Sequence, residues 1–281
     1  MPRWTIQLDD DHPLMRLTGC GKCGCKVGEK KHYIMLTIPR SGSTMLHNII
    51  CQHPNISCID EPLHKKELKP RGLFGDPIDS IMQHLHKSVN KLDCYQMHGA
   101  KIFTEHLSDA NISLYDVIKT LKQPKIVLLY RRNILDSFVS LKSSQHSRIW
   151  NTFKSESPKT VPFNGPKMKP PPTQNISLSY KEFEHWRNLM KVTWKKPLKV
   201  FHNYTNHLKT VVTYTDITEN GHETIPKLFK FLGFESEYFE PLTFKQNPHS
   251  LEQKIPNYSE FMTQLKENNI SMYLDVENIN V

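Results

Sequence analysis

The 281-residue sequence has no run of about 18 apolar residues, the length that a helix needs to cross a membrane. Its opening stretch, MPRWTIQLDDDHPLM, lacks the apolar core of a secretory signal and carries three consecutive Asp residues. We therefore expect a chain without a membrane span, located in the cytoplasm.

Cysteine is also scarce, because six residues in 281 are too few for a disulfide scaffold. Three of the six, Cys20, Cys23 and Cys25, follow the spacing CxxCxC. A zinc site and a loop with free thiols both stay open, since no fourth ligand stands at a usual spacing. We assign no metal site.

The charge is unbalanced: 37 Lys and Arg residues against 28 Asp and Glu residues leave a net charge of +9, which favours an anionic partner. No zinc-finger, basic-zipper or RNA-binding aromatic motif accompanies this charge. We therefore expect a phosphorylated small molecule and no nucleic acid. A basic nucleic-acid-binding protein without catalysis remains the alternative from a different class.

Strand and helix patterns alternate along the chain. Short apolar runs at 32–38, 56–59, 100–103, 125–130 and 210–214 predict strands, and segments of helical period lie between them. This alternation predicts an α/β fold with a central, mainly parallel sheet flanked by helices. A helix that begins at Ser179 is expected to be interrupted at Pro197.

No clear boundary divides the chain, so residues 1–281 are predicted to form a single domain with an irregular segment at 1–31. Residues 151–178 are rich in proline and have no apolar period. We expect them to form a long loop that acts as a lid over an acceptor.

The strongest motif is PRSGST, residues 39–44, between the first strand and the following helix. Gly42 permits close backbone approach, Arg40 supplies positive charge, and the hydroxyls of Ser41, Ser43 and Thr44 donate hydrogen bonds. The loop lies between a strand and the amino end of a helix, an arrangement that favours the binding of a phosphate or sulfate group. No Lys follows the glycine, as a Walker A loop requires, which disfavours a magnesium-dependent kinase without excluding it.

A second motif, YRRNILDSFVS at 130–140, also follows a buried strand and enters a helix. Arg132 at the strand end and Ser140 two turns into the helix can converge on a second anion. The alternative is that Arg131 or Arg132 simply forms an ion pair with Asp136.

Together, the two motifs resemble those of the sulfotransferases that use 3′-phosphoadenosine 5′-phosphosulfate (PAPS). PRSGST is similar to the loop of that family for the 5′-phosphosulfate. Residues 132–140 are similar to its 3′-phosphate element RNPxDxxVS, with Ile134 in place of proline. The sequence SGST and the arginine in the loop resemble carbohydrate-type and bacterial members more than animal cytosolic ones.

The resemblance implies a P-loop-kinase-like sulfotransferase fold in which PAPS is the co-substrate and no metal is required. Arg40, Ser41, Gly42, Ser43 and Thr44 would hold the 5′-phosphosulfate. It further implies nucleotide contacts from a short list of residues elsewhere: Arg132, Ser140, Tyr214, Lys245 and Gln246. The acceptor would be a hydroxyl or an amine of a small molecule or carbohydrate, and the oligomeric state stays open.

Members of that family take the acceptor proton with a Glu or a His. Glu61 is our first choice, because it follows the second strand and lies in CQHPNISCIDEPL, a segment similar to the HP…EP stretch of carbohydrate-type members. The alternative is that Glu61 pairs with Lys65 or Lys66 at the surface. His106 and His98 are second choices, Arg40 would neutralise the leaving phosphate, and Lys101 could assist it.

Overall fold

A computed structural model describes residues 30–91, 95–150, 176–236, 238–243, 250–274, 276 and 279. A five-stranded sheet with the order β2-β3-β1-β4-β5 runs through its centre. The strands are β1 (Lys31–Thr37), β2 (Ile56–Ile59), β3 (Met97–Phe103), β4 (Lys125–Tyr130) and β5 (Lys209–Thr213). All four neighbouring pairs are parallel, which confirms the predicted fold class.

Helices fill the connections between the strands, as a parallel sheet requires. The α-helices are α1 (Ser43–Cys51), α2 (Lys65–Leu68), α3 (Ile78–Val89), α4 (Thr104–Asp109), α5 (Leu114–Thr120), α6 (Ile134–Ser147), α7 (Tyr180–Asn203), α8 (Tyr214–Glu219), α9 (Gly221–Leu232), α10 (Leu251–Lys254) and α11 (Tyr258–Glu267). Two short 3-10 helices span Lys69–Arg71 and Asn206–Leu208.

The sheet is covered on both faces, because successive residues of a strand point to opposite sides. Ile34 and Leu36 of β1 belong to one core, which also contains the buried sides of α3, α5, α6, α7 and α11. Tyr33 and Met35 belong to the second core, together with α1 and α9. Burial on both faces explains why the strands appear in the sequence as nearly continuous apolar runs.

The topology creates a crevice at the carboxyl edge of the sheet. The connection after β1 leads to β2 on one side, and the connection after β4 leads to β5 on the other, although β1 and β4 are neighbours. Thr37 at the end of β1 pairs with Phe103 at the end of β3, and Tyr130 pairs with Thr213, so the strands end level. Open α/β sheets bind ligands at such a point.

Helix α7 continues through Pro197, so the predicted interruption there was wrong. Proline removes one helical hydrogen bond and crowds the preceding turn, at a cost of about 3 kcal/mol. Trp194, Leu198 and Phe201 on either side of Pro197 are buried in the core. Their packing outweighs the local penalty, which the sequence pattern alone does not reveal.

A disulfide joins Cys51, the last residue of α1, to Cys58 in β2. Their Cα atoms are 5.7 Å apart. The bond links the helix that follows the PRSGST loop to the strand that precedes Glu61, and it was not predicted from the sequence.

Several predictions lie outside the described residues. They concern Cys20, Cys23 and Cys25, most of the irregular segment 1–31, residues 151–175 of the proline-rich loop, and Lys245 and Gln246. Within the described part of the chain, no helix is both long enough and apolar enough to span a bilayer.

Candidate active site

The PRSGST loop turns sharply between β1 and α1. Arg40 and Gly42 both have left-handed backbone conformations, with φ of 65° and 85°. A Cβ atom on Gly42 would lie 2.5 Å from the ring of Tyr214. Two features therefore require glycine at position 42: its positive φ and the close approach of Tyr214. The turn brings the amino end of α1 to the carboxyl edge of the sheet, where its free N–H groups favour an anion.

Two buried hydroxyl groups at this edge lack partners. Ser41 in the loop and Thr104 just after β3 are both fully buried. Their hydroxyl oxygens have no hydrogen-bond partner among the described residues. Because buried polar groups are nearly always hydrogen-bonded, these two hydroxyls are available to a bound group.

Arg40 connects the two sequence motifs directly. Its Nε and Nη2 donate to Ser140 Oγ over 3.0 and 2.8 Å, and its Nη1 donates to the carbonyl of Trp150 over 2.7 Å. These acceptors are uncharged, so an anion would replace them with stronger charge-assisted bonds. Residues one hundred positions apart thus meet between β1 and β4.

A second guanidinium lies close to Arg40. Arg131 is 4.2 Å from the centre of the Tyr214 ring and donates to Asp136 Oδ2 over 2.8 Å. Burial, and then the charge of Arg131, lower the pKa of Arg40 to about 10. Arg40 stays protonated at neutral pH, and Asp136 forms its ion pair with Arg131.

The remaining residues of the second motif have mixed roles. Asn133 caps α6, because its side chain accepts the backbone N–H of Asp136 over 3.1 Å. Arg132 is exposed, and its Nε lies 3.4 Å from the hydroxyl of Tyr130. The ion pair with Asp136 is therefore made by Arg131, whereas Arg132 approaches the hydroxyl of Tyr130.

A second cluster occupies the ends of β2 and β3. Lys101 is only 2% exposed, and its Nζ lies 2.7 Å from Asp60 Oδ1 and 3.0 Å from Glu61 Oε1. Glu61 itself has a left-handed backbone, with φ of 49°. A buried ammonium between two carboxylates holds both in place. Glu61 thus pairs with the buried Lys101, and not with Lys65 or Lys66 as in the alternative drawn from the sequence.

His106 completes this cluster. It is 2% exposed, and its Nε2 lies 3.8 Å from Glu61 Oε2. Burial, then the charges of His64 and Lys101, lower the pKa of His106 to about 3. The imidazole is therefore neutral at physiological pH. The ring of His64 stands edge-on to it, with 5.0 Å between centroids.

The two clusters lie along one edge, in the order of the strands. Arg131 and Tyr214 follow β4 and β5, the PRSGST loop follows β1, His106 follows β3, and Glu61 follows β2. Strands are about 4.8 Å apart, so the ends of β1 and β2 are roughly 10 Å apart. A phosphate-bearing ligand at β1 and β4 would thus have Glu61 and His106 within the length of a small acceptor.

A family model described as the sulfotransferase domain matches residues 30–278. The chain belongs to the sulfotransferase family. This confirms the resemblance and the fold that it implied. A comparison with curated proteins found no match.

Solved sulfotransferases are similar to this one at low identity. The sulfotransferase of Alicyclobacillus acidocaldarius is 13% identical, with 86% of this chain and 93% of that chain covered and a TM-score of 0.48. The sulfotransferase domain of the curacin biosynthetic pathway is 13% identical, with 89% and 94% covered and a TM-score of 0.45. A mouse sulfotransferase in complex with PAP is 14% identical, with 74% and 59% covered and a TM-score of 0.38.

In this sulfotransferase, most of the predicted site residues converge on one edge of the sheet: Arg40, Ser41, Gly42, Ser43, Thr44, Ser140, Tyr214, Glu61 and His106. His98 does not join them. It lies near the amino end of β3, 6.1 Å from the ring of His32, and is therefore removed from the carboxyl edge.

Sequence reasoning missed the partners that complete the sulfotransferase site. Asp60, Trp150 and Thr104 carry no motif of their own. Asp60 and Trp150 are placed by contacts with distant segments, and Thr104 is singled out only by its buried hydroxyl without a partner among the described residues. The DE pair at 60–61 was the one available signal, because two adjacent carboxylates after a buried strand need a nearby cation.

Proposed function

We propose that this sulfotransferase moves the sulfuryl group of PAPS to an acceptor hydroxyl or amine by in-line displacement. The acceptor would be a small molecule or a carbohydrate. The acceptor atom attacks sulfur, and adenosine 3′,5′-bisphosphate (PAP) leaves with the bonding electrons. We further propose that this transfer requires no metal.

The meeting of Arg40 and Ser140 is the observation that carries the proposal. The donor has two anionic ends, the 5′-phosphosulfate and the 3′-phosphate, and the two motifs supply one set of groups for each. Their contact at 2.8 and 3.0 Å supports a single nucleotide site formed by both motifs. Arg132 and Ser140 would face the 3′-phosphate, and Arg40 would face the 5′ end.

Positioning and charge neutralisation would supply most of the catalysis, as in phosphoryl transfer. The amino end of α1 and the hydroxyl of Ser41 would hold the oxygens next to the transferred group. Arg40 would neutralise the charge that grows on the leaving phosphate. Tyr214, held against Gly42 by Arg131, is suited to contact the nucleotide base.

Glu61 would take the proton of the acceptor. Its Oε1 is held by Lys101 at 3.0 Å, which leaves Oε2 to face an acceptor. The residue is about a quarter exposed, so a substrate can reach it. A carboxylate in a fixed orientation beside the sulfuryl group meets the geometric requirement for a general base.

A thermal shift assay tests the nucleotide site most directly. PAP without magnesium should raise the melting temperature, because a ligand that binds the folded chain stabilises it. Adenosine 5′-monophosphate, which lacks the 3′-phosphate, should raise it much less. Stabilisation by ATP only in the presence of magnesium would indicate a kinase, and stabilisation only by a DNA duplex would indicate a nucleic-acid-binding protein.

We also propose a cytoplasmic location. The Cys51–Cys58 disulfide is an observation against this location. Disulfides persist in oxidising compartments and are rare in the cytosol. Alkylation of thiols before and after reduction, in protein trapped directly from cells, would decide between the two. Full alkylation of both cysteines before reduction is the outcome expected of a cytoplasmic protein.

A further inference from the structure

One ring nitrogen of His106 has a hydrogen-bond partner, and the other has none among the described residues. Its Nδ1 accepts the backbone N–H of Phe103 over 3.4 Å. Its Nε2 is buried, has no hydrogen-bond partner in the described part of the chain, and lies 3.8 Å from Glu61 Oε2. Buried polar atoms are nearly always hydrogen-bonded, so the partner of this nitrogen is expected to be an atom of a bound molecule.

The contact with Phe103 determines which nitrogen carries the proton. A neutral imidazole has one N–H and one lone pair. Since Nδ1 accepts a hydrogen bond, its lone pair is in use and the proton is on Nε2. His106 therefore presents a donor beside Glu61 and has no free lone pair with which to take a proton.

This arrangement argues against a metal ion at the same place. Glu61, His64 and His106 each offer one ligand atom, and these atoms lie within 4.8 Å of one another. A metal on Nε2 would move the proton of His106 to Nδ1, where it would face the N–H of Phe103. Metal-bound histidines normally donate from their second nitrogen to an acceptor, and here that position holds a donor. Lys101 adds a further positive charge 3.0 Å from Glu61.

We propose that the acceptor group is a hydroxyl rather than an amine, and that His106 Nε2–H donates to its oxygen while Glu61 Oε2 takes its proton. This proposal rests on the proposed sulfotransferase function. The acceptor oxygen forms a bond to sulfur, the bond between sulfur and the phosphate oxygen breaks, and PAP leaves with the electron pair. The proton of the hydroxyl goes to Glu61, so charge and atoms balance.

The number of lone pairs separates the two acceptor classes. A hydroxyl oxygen has one proton for Glu61 and two lone pairs, one for the N–H of His106 and one for sulfur. A neutral amine has a single lone pair, which cannot both accept from His106 and attack sulfur. An amine would therefore react only with the buried donor left unpaired, which predicts a preference for hydroxyls of roughly 10- to 100-fold.

The tautomer can be measured without any substrate. In the full chain labelled with ¹⁵N-histidine, the resonances lost in His106→Gln identify His106. We expect the chemical shifts of a neutral ring protonated on Nε2, unchanged between pH 5 and 8. A ring protonated on Nδ1, or one that titrates near neutrality, would overturn the proposal.

The acceptor preference is tested with 4-aminophenol and glucosamine, which each carry a hydroxyl and an amine. Mass spectrometry before and after nitrous acid treatment separates O-sulfate from acid-labile N-sulfate. We expect O-sulfate in excess by roughly 10-fold or more. An equal or larger yield of N-sulfate would contradict the assignment.

Two variants distinguish a hydrogen-bond donor from a general base at position 106. Gln keeps an N–H donor, so His106→Gln should retain activity within roughly 10-fold and retain the preference for hydroxyls, whereas His106→Leu should lose the preference. Equal inactivity of both variants, with PAP stabilisation intact, would make His106 a base and end the proposal. If PAP fails to stabilise even the unmodified chain, the proposed function itself fails, while the tautomer measurement still decides the role of His106.

Discussion

The two ends of the carboxyl edge carry opposite charge balances. On the nucleotide side, Arg40 and Arg131 lie close together, and among the described residues Arg131 forms an ion pair with one carboxylate, Asp136. On the acceptor side, Lys101 is matched by two carboxylates, Asp60 and Glu61. The nucleotide side is therefore built for an added anion. The acceptor side has a carboxylate to spare, which suits a group that gives up a proton.

The two sides also differ in which parts of the chain form them. The nucleotide side comes from contiguous motifs that each follow a strand and start a helix. The acceptor side comes from residues that follow β2 and residues on β3 and α4, and these have no common motif. A substitution on one side should therefore leave the ligand of the other side bound.

The largest expected effect is that of Glu61→Gln, which keeps the shape of the side chain and removes its basicity. Turnover should fall by about 10²- to 10⁴-fold while PAP affinity stays nearly unchanged. Steady-state kinetics and calorimetric PAP titration measure the two quantities. Glu67→Gln, on the exposed helix α2, serves as the control. Near-normal turnover in Glu61→Gln, with His106→Ala inactive, would assign the base to His106.

On the nucleotide side, Arg132→Ala should weaken PAP binding by about 2–3 kcal/mol, the usual range for a charge-assisted contact. Binding of adenosine 5′-phosphosulfate, which lacks the 3′-phosphate, should hardly change. Arg131→Ala is the matched comparison, because Arg131 positions Tyr214 and should affect both nucleotides alike. Equal losses for both nucleotides in Arg132→Ala would reassign Arg132 to a structural role.

The buried imidazole of the acceptor side should limit stability in acid. The pKa of His106 is about 3 in the folded chain, against 6.5 for an ordinary histidine, so the folded chain binds fewer protons. Its contribution to stability is present above pH 6.5 and is lost as the pH falls towards 3. Between pH 7 and pH 5 this loss is about 2 kcal/mol.

Urea unfolding at the two pH values measures that loss. His106→Gln should lose about 2 kcal/mol less than the unmodified chain over the same interval. Replacement of the exposed His146 by Gln should leave the loss unchanged. An identical pH dependence in all three proteins would show that His106 does not titrate in this way. His47, whose pKa burial lowers to about 4, should add to the acid sensitivity of all of them.

The smallest expected difference is between two glycines. Gly42 and Gly72 both have positive φ, 85° and 69°, but only Gly42 has a neighbour, Tyr214, where a Cβ would lie. Gly72→Ala should cost about 1 kcal/mol of folding free energy through its backbone alone. Gly42→Ala should cost about 1 kcal/mol more and should also weaken PAP binding, since Tyr214 must move. Equal costs and unchanged PAP binding would remove Tyr214 from the nucleotide site.

Much of the architecture could be predicted from local patterns. The strands at 56–59 and 125–130 were predicted with their observed bounds. The helix through Pro197 was missed, because its stability depends on the burial of Trp194 and Leu198 against other elements. Local propensity is a weak guide where packing outweighs it.

The sequence by itself determined the sharp PRSGST turn between a strand and a helix, since a glycine between an apolar run and a helical pattern depends only on neighbours in the chain. Only the tertiary structure decided that Arg131 rather than Arg132 pairs with Asp136, and that Glu61 pairs with Lys101 rather than with a nearby surface lysine. It also decided the protonated nitrogen of His106, through the backbone of Phe103. Burial makes these choices, because a charge or donor removed from water must find a partner in space, and the nearest partner in space is often distant in sequence.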